Sequence, residues 1–354
     1  MKAPVDVAVV GVGYLGSRHA EKYAAHPSAR LRALVDPAPG ARDVARRLGV
    51  PLLAHVAELP EGVRAVSVAV PTPLHREVAG HLLEKGRDVL LEKPIAASVA
   101  EADELVALAE ANGRVLQVGH LERFNPAVRK LGGLLRGARF IESHRLAPFH
   151  ARGSDVDVVL DLMIHDLDII LSIVRADPVE VHAAGVAVIT PSVDIANARI
   201  AFEGGCVANV TASRVSAEKL RKIRVFQPDA YVSIDYLGRS ATVVRRGGEP
   251  GAQARTGGAS APPERPPNEG DALAGIVRER VTFADEEGED ALALEVDAFL
   301  RAVRDRSEPV VSGRDGRRAV AVAGRIVEQI EAGLERERRA FGSGSRGADA
   351  GLAS

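Results

Sequence analysis

The sequence predicts an α/β protein in two parts. An N-terminal doubly wound parallel sheet comes first, followed by an α+β domain with a large, open, mostly antiparallel sheet. Three observations carry this. Between residues 5 and 120, short apolar runs alternate with longer helical stretches. The first run ends in the glycine cluster Gly11-Val12-Gly13-Tyr14-Leu15-Gly16. From Pro178 to Arg245, strand-like runs succeed one another with only Gly or Pro breaks.

The elements follow in order. Val5–Val10 is a β-branched run, and Tyr14–His26 reads as a helix. Leu31–Asp36 is a second strand before a helix over Ala41–Leu48. Arg64–Val70 is a third strand and Leu74–Lys85 its helix. Asp88–Glu92 and Arg114–Gly119 flank a helix over Ser98–Asn112. Buried strands alternating with helices indicate βαβ units and a parallel sheet. After Phe124 the rhythm changes. Ala127–Leu135 and Leu160–Val174 read as helices around a strand at Phe140–Leu146. Strands are then expected at Val179–Ile189, Ile195–Phe202, Cys206–Val215, Arg221–Phe226, Tyr231–Tyr236 and Ser240–Val244. Such a succession suggests antiparallel pairing. Asp290–Arg304 and Gly316–Arg338 are amphipathic helices. The expected division is a nucleotide-binding domain over 1–121 and a substrate and oligomerisation domain over 122–341. Within it 246–272, rich in Gly and Pro, is expected to be a mobile loop, and 342–354 a flexible tail.

Composition narrows the function. At roughly 150 residues per domain, 354 residues suggest two domains. The 46 Lys and Arg nearly cancel the 48 Asp and Glu, which argues against a nucleic-acid partner. Aromatic residues are 3% of the chain, too few for a base-stacking platform. One cysteine, Cys206, excludes an intrachain disulfide and a multi-cysteine metal site. No apolar run reaches a membrane span, and Met1-Lys2-Ala3-Pro4 leads straight towards a strand without a secretory pattern. A soluble cytoplasmic protein is expected, with no membrane partner.

A G-x-G-x-x-G arises often by chance. Here it follows a strand and opens a helix, the context of a Rossmann dinucleotide site. Gly11 permits the tight turn, Gly13 lets backbone approach a pyrophosphate, and Gly16 allows close helix–strand packing. The helix N-terminus offers N–H groups to the phosphates. Tyr14 and Leu15 lie in the same turn and are expected cofactor contacts. Asp36 ends the next strand, where a carboxylate binds ribose hydroxyls and repels a 2′-phosphate. NAD is therefore expected over NADP, although Arg32 and Arg42 are nearby. A bare glycine turn with a solvated aspartate is the plain alternative.

The fourth long strand ends Val89-Leu90-Leu91-Glu92-Lys93-Pro94, which places Lys93 at the crevice beyond the strand ends. The glycine fingerprint, Val70-Pro71-Thr72-Pro73-Leu74-His75 and Glu92-Lys93-Pro94 together resemble the glucose–fructose oxidoreductase / inositol dehydrogenase / rhizopine-catabolism (Gfo/Idh/MocA) family, over nearly the whole chain. The resemblance implies an NAD(P)-dependent dehydrogenase acting on a CH–OH group, with Lys93 in the active site before a proline whose peptide is often cis. It implies that Thr72 and His75 line the nicotinamide ribose, with Pro71, Glu92 and Lys93 also at the cofactor. The family's Asp-x-x-x-His pair is matched by Asp161-Leu162-Met163-Ile164-His165, although its usual preceding glycine pair is replaced by Asp155-Val156-Asp157-Val158-Val159. At i,i+4 on a helix the two side chains share a face. Lys93 and His165 are then implied to flank the reacting hydroxyl, with His165 sharing the acid/base work or orienting the hydroxyl and Asp161 orienting His165. Asp161, His165, Asp166 and Asp168 can also be read as a metal cluster, but the spacing is not diagnostic and no metal is expected.

Gly119-His120-Leu121-Glu122-Arg123-Phe124-Asn125-Pro126 resembles a stretch in those family members that oxidise UDP-N-acetylglucosamine at C3 and feed a PLP aminotransferase that makes 3-amino sugars for lipid A or related glycans. On that resemblance Arg123 and Asn125 bind the diphosphate or sugar, beside Lys93 and His165. The alternative is a domain hinge whose helix starts at Asn125-Pro126. Two other functions fit less of the motif set: a dehydrogenase of a free sugar or inositol-type polyol, and a non-catalytic NAD-binding sensor. Lys93 is expected to accept or relay the hydroxyl proton, with its pKa lowered towards neutrality by burial. The open face of the second sheet, expected to carry Val207, Val210 and Ala212 near Ile223 and Val225, is expected to be the interface of a homodimer or homotetramer.

Overall fold

The computed structural model describes residues 3–149, 157–246, 276–282 and 290–342. Six parallel strands form the first sheet: β1 (Val5–Val10), β2 (Ala29–Val35), β3 (Leu52–Leu53), β4 (Ala65–Val68), β5 (Asp88–Glu92) and β6 (Leu116–Gly119). Between them run α1 (Tyr14–Ala25), α2 (Ala41–Leu48), α3 (His75–Glu84) and α4 (Val99–Ala111). The order β3-β2-β1-β4-β5-β6 reverses direction between β1 and β4, which opens a crevice at their carboxyl ends. Helices cover both faces, so the middles of β1, β4 and β5 are mostly buried and apolar rather than alternating. Val7 and Val9 pack with Ala20 and Tyr23 of α1, whereas Ala8 and Val10 belong to the core that includes Leu82 and Leu83 of α3.

The second half comprises α5 (Pro126–Leu131), β7 (Phe140–Leu146), a wide π turn at Val159–Met163 and α6 (Ile164–Val174). Then come β8 (Pro178–Val186), β9 (Ile195–Phe202), β10 (Val207–Ser213), β11 (Leu220–Phe226), β12 (Ala230–Asp235), β13 (Ser240–Arg246) and β14 (Ile276–Thr282). Two helices follow, α7 (Ala291–Asp305) and α8 (Gly313–Gly342). The eight strands form one sheet in the order β14-β13-β12-β11-β7-β10-β9-β8, antiparallel except where β7 runs parallel to β10.

Two strands lie outside the expected set. β3 is two residues long, too short for any periodic signal. β14 is an edge strand of mostly exposed residues, IVRERVT, without a buried apolar face to betray it. The expected loop 246–272 begins at the last residue of β13, and 247–272 lie outside the described residues. The expected tail begins at the last residue of α8, and 343–354 lie outside them.

One expectation about the open sheet is corrected. Val210, Ala212, Ile223 and Val225 are fully buried. They point to the helix-covered face, because the side chains of a strand alternate between faces. On the other face Arg224 pairs with Glu142 at 3.0 Å, Arg199 with Asn209 at 3.2 Å and Asn197 with Thr211 at 2.9 Å. Those parts of the face are polar, with Val207 half-buried among them, while Phe140, Phe226 and Tyr231 form an aromatic row elsewhere on it.

The end of the chain returns to the first sheet. Val296, Phe299 and Leu300 of α7 share a core with Val7, Val9 and Leu34. Arg306 pairs with the fully buried Asp88 at 2.9 Å. Val118 of β6 donates to the Val311 carbonyl at 3.0 Å. The nucleotide-binding half is thus completed by residues far along the chain. Among the described residues no helix is long and apolar enough to cross a membrane.

The turn after β8 is organised by one buried carboxylate. Asp194 accepts from the N–H groups of Val188, Ile189 and Thr190 at 2.8, 2.6 and 2.9 Å, and from the Thr190 hydroxyl at 2.7 Å. Burial alone would raise its pKa, but these donors outweigh it and hold the group down to about 2. Its contribution to stability is therefore complete above the ordinary carboxylate range and is lost as pH falls through about 2. Asp194→Ala is expected to cost about 2 kcal/mol at neutral pH, measured by denaturant unfolding, and to flatten the acid limb of the stability curve.

Candidate active site

The cofactor cradle is built from backbone. Gly11 follows β1 with φ +82°, and a Cβ there would lie 2.6 Å from the Ala69 carbonyl oxygen. A Cβ on Gly16 would lie 1.7 Å from the Gly11 carbonyl oxygen, so helix and turn touch only because both residues are glycine. Gly13 differs, since a Cβ there would meet nothing within 4 Å. Its open side faces the cleft where a pyrophosphate would approach backbone. Gly13 also caps α1 without a side-chain bond, and no acidic residue occupies the first turn. The helix N–H groups therefore remain available to an anion.

Asp36 follows β2 and accepts from Val12 N–H at 2.6 Å and Ala38 N–H at 2.7 Å. It borders a cleft of about 700 Å³, with Gly11, Gly13, Tyr14, Leu15 and Pro71. This size suits a nucleotide-sized ligand. These glycines, the bare helix start and the carboxylate fit a dinucleotide. His55, Glu77 and His81 also line the cleft. No motif marks them: Glu77 and His81 lie one turn apart on α3, and His55 follows β3.

Lys93 stands just past β5, and its peptide to Pro94 is cis. Its side chain is only 17% exposed, and Nζ donates to the Asp161 backbone carbonyl at 2.7 Å. The Asp161 carboxylate is 3.6 Å away. Burial lowers the lysine pKa, while Asp161 and Glu92 oppose the shift. Asp161 belongs to the π turn rather than to a continuous α-helix. Asp161 meets Lys93 through both its carbonyl and its carboxylate, and no contact of Asp161 with His165 is among those of the described residues. His165 begins α6, and its buried Nδ1 has no hydrogen-bond partner among the described residues. Burial holds its pKa well below the usual imidazole value, and the cations Lys93 and Arg145 push it the same way. His165 is thus a neutral imidazole at neutral pH.

Several expected contacts resolve differently. Asp166 accepts from Ser143 at 2.9 Å and from Arg145 at 2.6 Å, and Arg145 also reaches Glu122 at 3.0 Å. Asp168 is gripped by both prongs of Arg123, at 2.7 and 3.2 Å. The acidic residues around His165 therefore diverge onto separate cations. Arg123 is 15% exposed and already engaged, which makes it a brace at the domain junction rather than a free fork for a phosphate. Asn125 accepts from Ala127 N–H at 3.0 Å and caps α5, the hinge alternative. His75 is buried, its ring nitrogens 2.8 Å from the Pro94 carbonyl oxygen and 2.9 Å from that of Val70. It ties two strand ends together instead of lining the cleft. Thr72, half-buried, begins a short helical turn at the rim. Glu92 points away from Lys93 into the sheet and lies 3.0 Å from His19 Nε2.

The sequence reading passed over His120 as a site residue. It follows β6, and the pairing of Glu92 with Gly119 places it beside Lys93 at the neighbouring strand end. It is buried, and neither ring nitrogen has a partner among the described residues.

Comparisons with known proteins agree with this architecture. Residues 5–120 match a family described as an oxidoreductase family with an NAD-binding Rossmann fold, and residues 140–231 match the GFO/IDH/MocA C-terminal domain. The chain is 38% identical over 330 residues to the UDP-N-acetylglucosamine 3-dehydrogenase of Acidithiobacillus ferrooxidans, covering 93% of this chain and 98% of that one. A solved structure of the latter enzyme superposes with a TM-score of 0.81 over 94% of this chain and 99% of that one, at 35% identity. The scyllo-inositol 2-dehydrogenase (NAD(+)) of Bacillus subtilis is 30% identical over 237 residues, 61% of this chain and 69% of that one.

The cradle geometry separates two glycines. Gly16→Ala is expected to lose about 2 kcal/mol of stability, because the methyl collides with backbone. Gly13→Ala is expected to unfold as the parent does yet bind NAD at least tenfold more weakly. Thermal unfolding and calorimetric titration with NAD check both.

Proposed function

The chain belongs to the GFO/IDH/MocA oxidoreductase family, and we propose that it oxidises the C3 hydroxyl of UDP-N-acetylglucosamine to the 3-keto sugar nucleotide with NAD. The observation that carries this is Lys93 at the carboxyl end of β5, held by Asp161 and acting electrostatically on His165, in a chain similar over almost its whole length to a UDP-N-acetylglucosamine 3-dehydrogenase. Asp36 supports NAD over NADP, since its carboxylate borders the cleft with both oxygens fixed by N–H groups.

When bound, the nicotinamide supplies the hydride acceptor. The protein's own groups handle the proton. His165, neutral and with an unpartnered nitrogen, accepts the hydroxyl proton. Lys93, held by the Asp161 carbonyl, donates to the same oxygen and steadies the charge that builds there. Asp161 sets the lysine rather than the histidine. Of the two groups expected to share the proton, His165 takes the role of base and Lys93 that of donor.

A 3-keto sugar is a substrate for transamination, so a PLP aminotransferase is the reaction class that would follow, towards a 3-amino sugar of lipid A or a related glycan. Assembly through the uncovered sheet face is part of the same reading. It is supported by the aromatic row Phe140, Phe226 and Tyr231, with centroids 5.6 and 4.9 Å apart. A dehydrogenase of an inositol is the second reading, favoured by the similarity to scyllo-inositol 2-dehydrogenase.

NADH is expected to form from NAD and UDP-N-acetylglucosamine, and not from the free sugar or inositols. Turnover of inositols alone selects the second reading, and NAD binding without any turnover rejects both. Lys93→Ala and His165→Asn are each expected to lower kcat/KM by roughly 10²- to 10⁴-fold. Because His165 is neutral well below the usual imidazole range, kcat/KM should show no acidic limb near neutrality. It should fall at alkaline pH as Lys93 loses its proton, earlier than an ordinary lysine would.

A further inference from the structure

A buried polar chain runs through the first sheet on the side opposite the cleft. Tyr23 and His19 lie on the inner face of α1, one helical turn apart, and both are buried. The Tyr23 hydroxyl is 2.8 Å from Ser67 Oγ on β4. Ser67 Oγ is 3.3 Å from His19 Nδ1, and His19 Nε2 is 3.0 Å from Glu92 Oε1 at the end of β5. One assignment of protons satisfies every atom. Tyr23 donates to Ser67, Ser67 donates to Nδ1, and Nε2–H donates to the Glu92 carboxylate. The chain thus starts on the helix whose N-terminus forms the cofactor cradle and ends one residue before Lys93.

The surroundings are closed. A Cβ on Gly119 would lie 3.2 Å from Glu92 Oε2, so β6 leaves only enough room for the carboxylate. Glu295 of α7 is buried on the same side, and burial together with the Glu92 charge raises its pKa well above the usual range. It is therefore an uncharged neighbour. Tyr23 stays protonated, because burial pushes its ionisation upward. Toward the cleft, Lys93 faces Asp161 from the π turn and Arg145 from β7. Glu92 and Lys93 are successive residues at a strand end, so their side chains leave on opposite faces. The sheet edge holds the carboxylate below and the ammonium above.

We propose that His19 and Glu92 are positioning residues for Lys93, with His19, anchored through Ser67 and Tyr23, holding a fixed negative charge beneath the lysine-bearing strand end. The inference rests on the reading of Lys93 as a protonated donor to the substrate. It assigns Glu92 to the lysine instead of the cofactor. It also links the cradle helix to the catalytic strand by side chains that touch neither ligand.

Lys93 can be titrated without turnover, by NMR of protein carrying ¹⁵N-labelled lysine, its signal assigned by its loss in Lys93→Arg. Glu92→Gln keeps the shape and removes the charge. The Lys93 titration is expected to move down by about one pH unit, and the alkaline limb of kcat/KM with it. His19→Ala should shift it in the same direction, and His19→Gln, which restores an N–H donor, should recover most of the shift. NAD affinity and thermal unfolding show whether each variant is folded. A folded Glu92→Gln protein whose Lys93 titrates as in the parent overturns the proposal. A shifted Lys93 titration in a protein that turns over no sugar nucleotide upholds it and discards the proposed substrate.

Discussion

One hydrogen bond joins the two halves of the molecule at the point where its chemistry is set. Lys93, at the end of a buried parallel strand, donates to the backbone carbonyl of Asp161 in the π turn. The lysine cannot lie back against its own sheet while that bond is made. The turn is wide because it closes i→i+5, and such insertions cluster at functional sites. Asp161 turns its carbonyl and its carboxylate to the lysine, and among the described residues the buried Nδ1 of His165 has no partner.

His165 is fixed in place by the residues beside it. Asp166 locks α6 onto β7 through Ser143 and the buried Arg145. Asp168, one helical turn from His165, locks the same helix to the domain junction through Arg123. Arg145 is 3% exposed, and removing one partner of such a buried pair leaves an uncompensated charge, a loss of about 3–5 kcal/mol. These ion pairs fix the helix that carries His165 rather than touching the imidazole itself. Acidic residues that looked like metal ligands in the linear sequence are spaced to reach different cations.

The cofactor side rests on the same economy. Two glycines are demanded by contact, Gly11 and Gly16, and a third, Gly13, by the space it leaves open. His75 then binds the ends of β4 and β5 through the carbonyls of Val70 and Pro94, so the floor of the crevice moves as one piece. The return of α7 across α1 and β1 closes the opposite face. Cofactor cradle and lysine therefore share one rigid support, although its parts are nearly 300 residues apart in the chain.

The sequence by itself determined the strand and helix alternation, the glycine turn, and Asp36 and Lys93 just past their strand ends. Each is a local matter: hydrophobic period, turn geometry, or a motif within a few residues. Tertiary structure alone decided which way side chains turned. Periodicity cannot say which face of an open sheet the helices cover, and so Val210, Ala212, Ile223 and Val225 went to the core. Spacing cannot reveal a π turn, because one extra residue per turn leaves no mark in composition. Motif membership cannot separate a residue that touches ligand from one that holds another residue in place. Arg123, Asn125, His75 and Glu92 all proved to have partners within the fold. Those partners lie 45, 2, 19 and 73 residues away, and apart from the Asn125 cap only the folded chain brings them within hydrogen-bond reach.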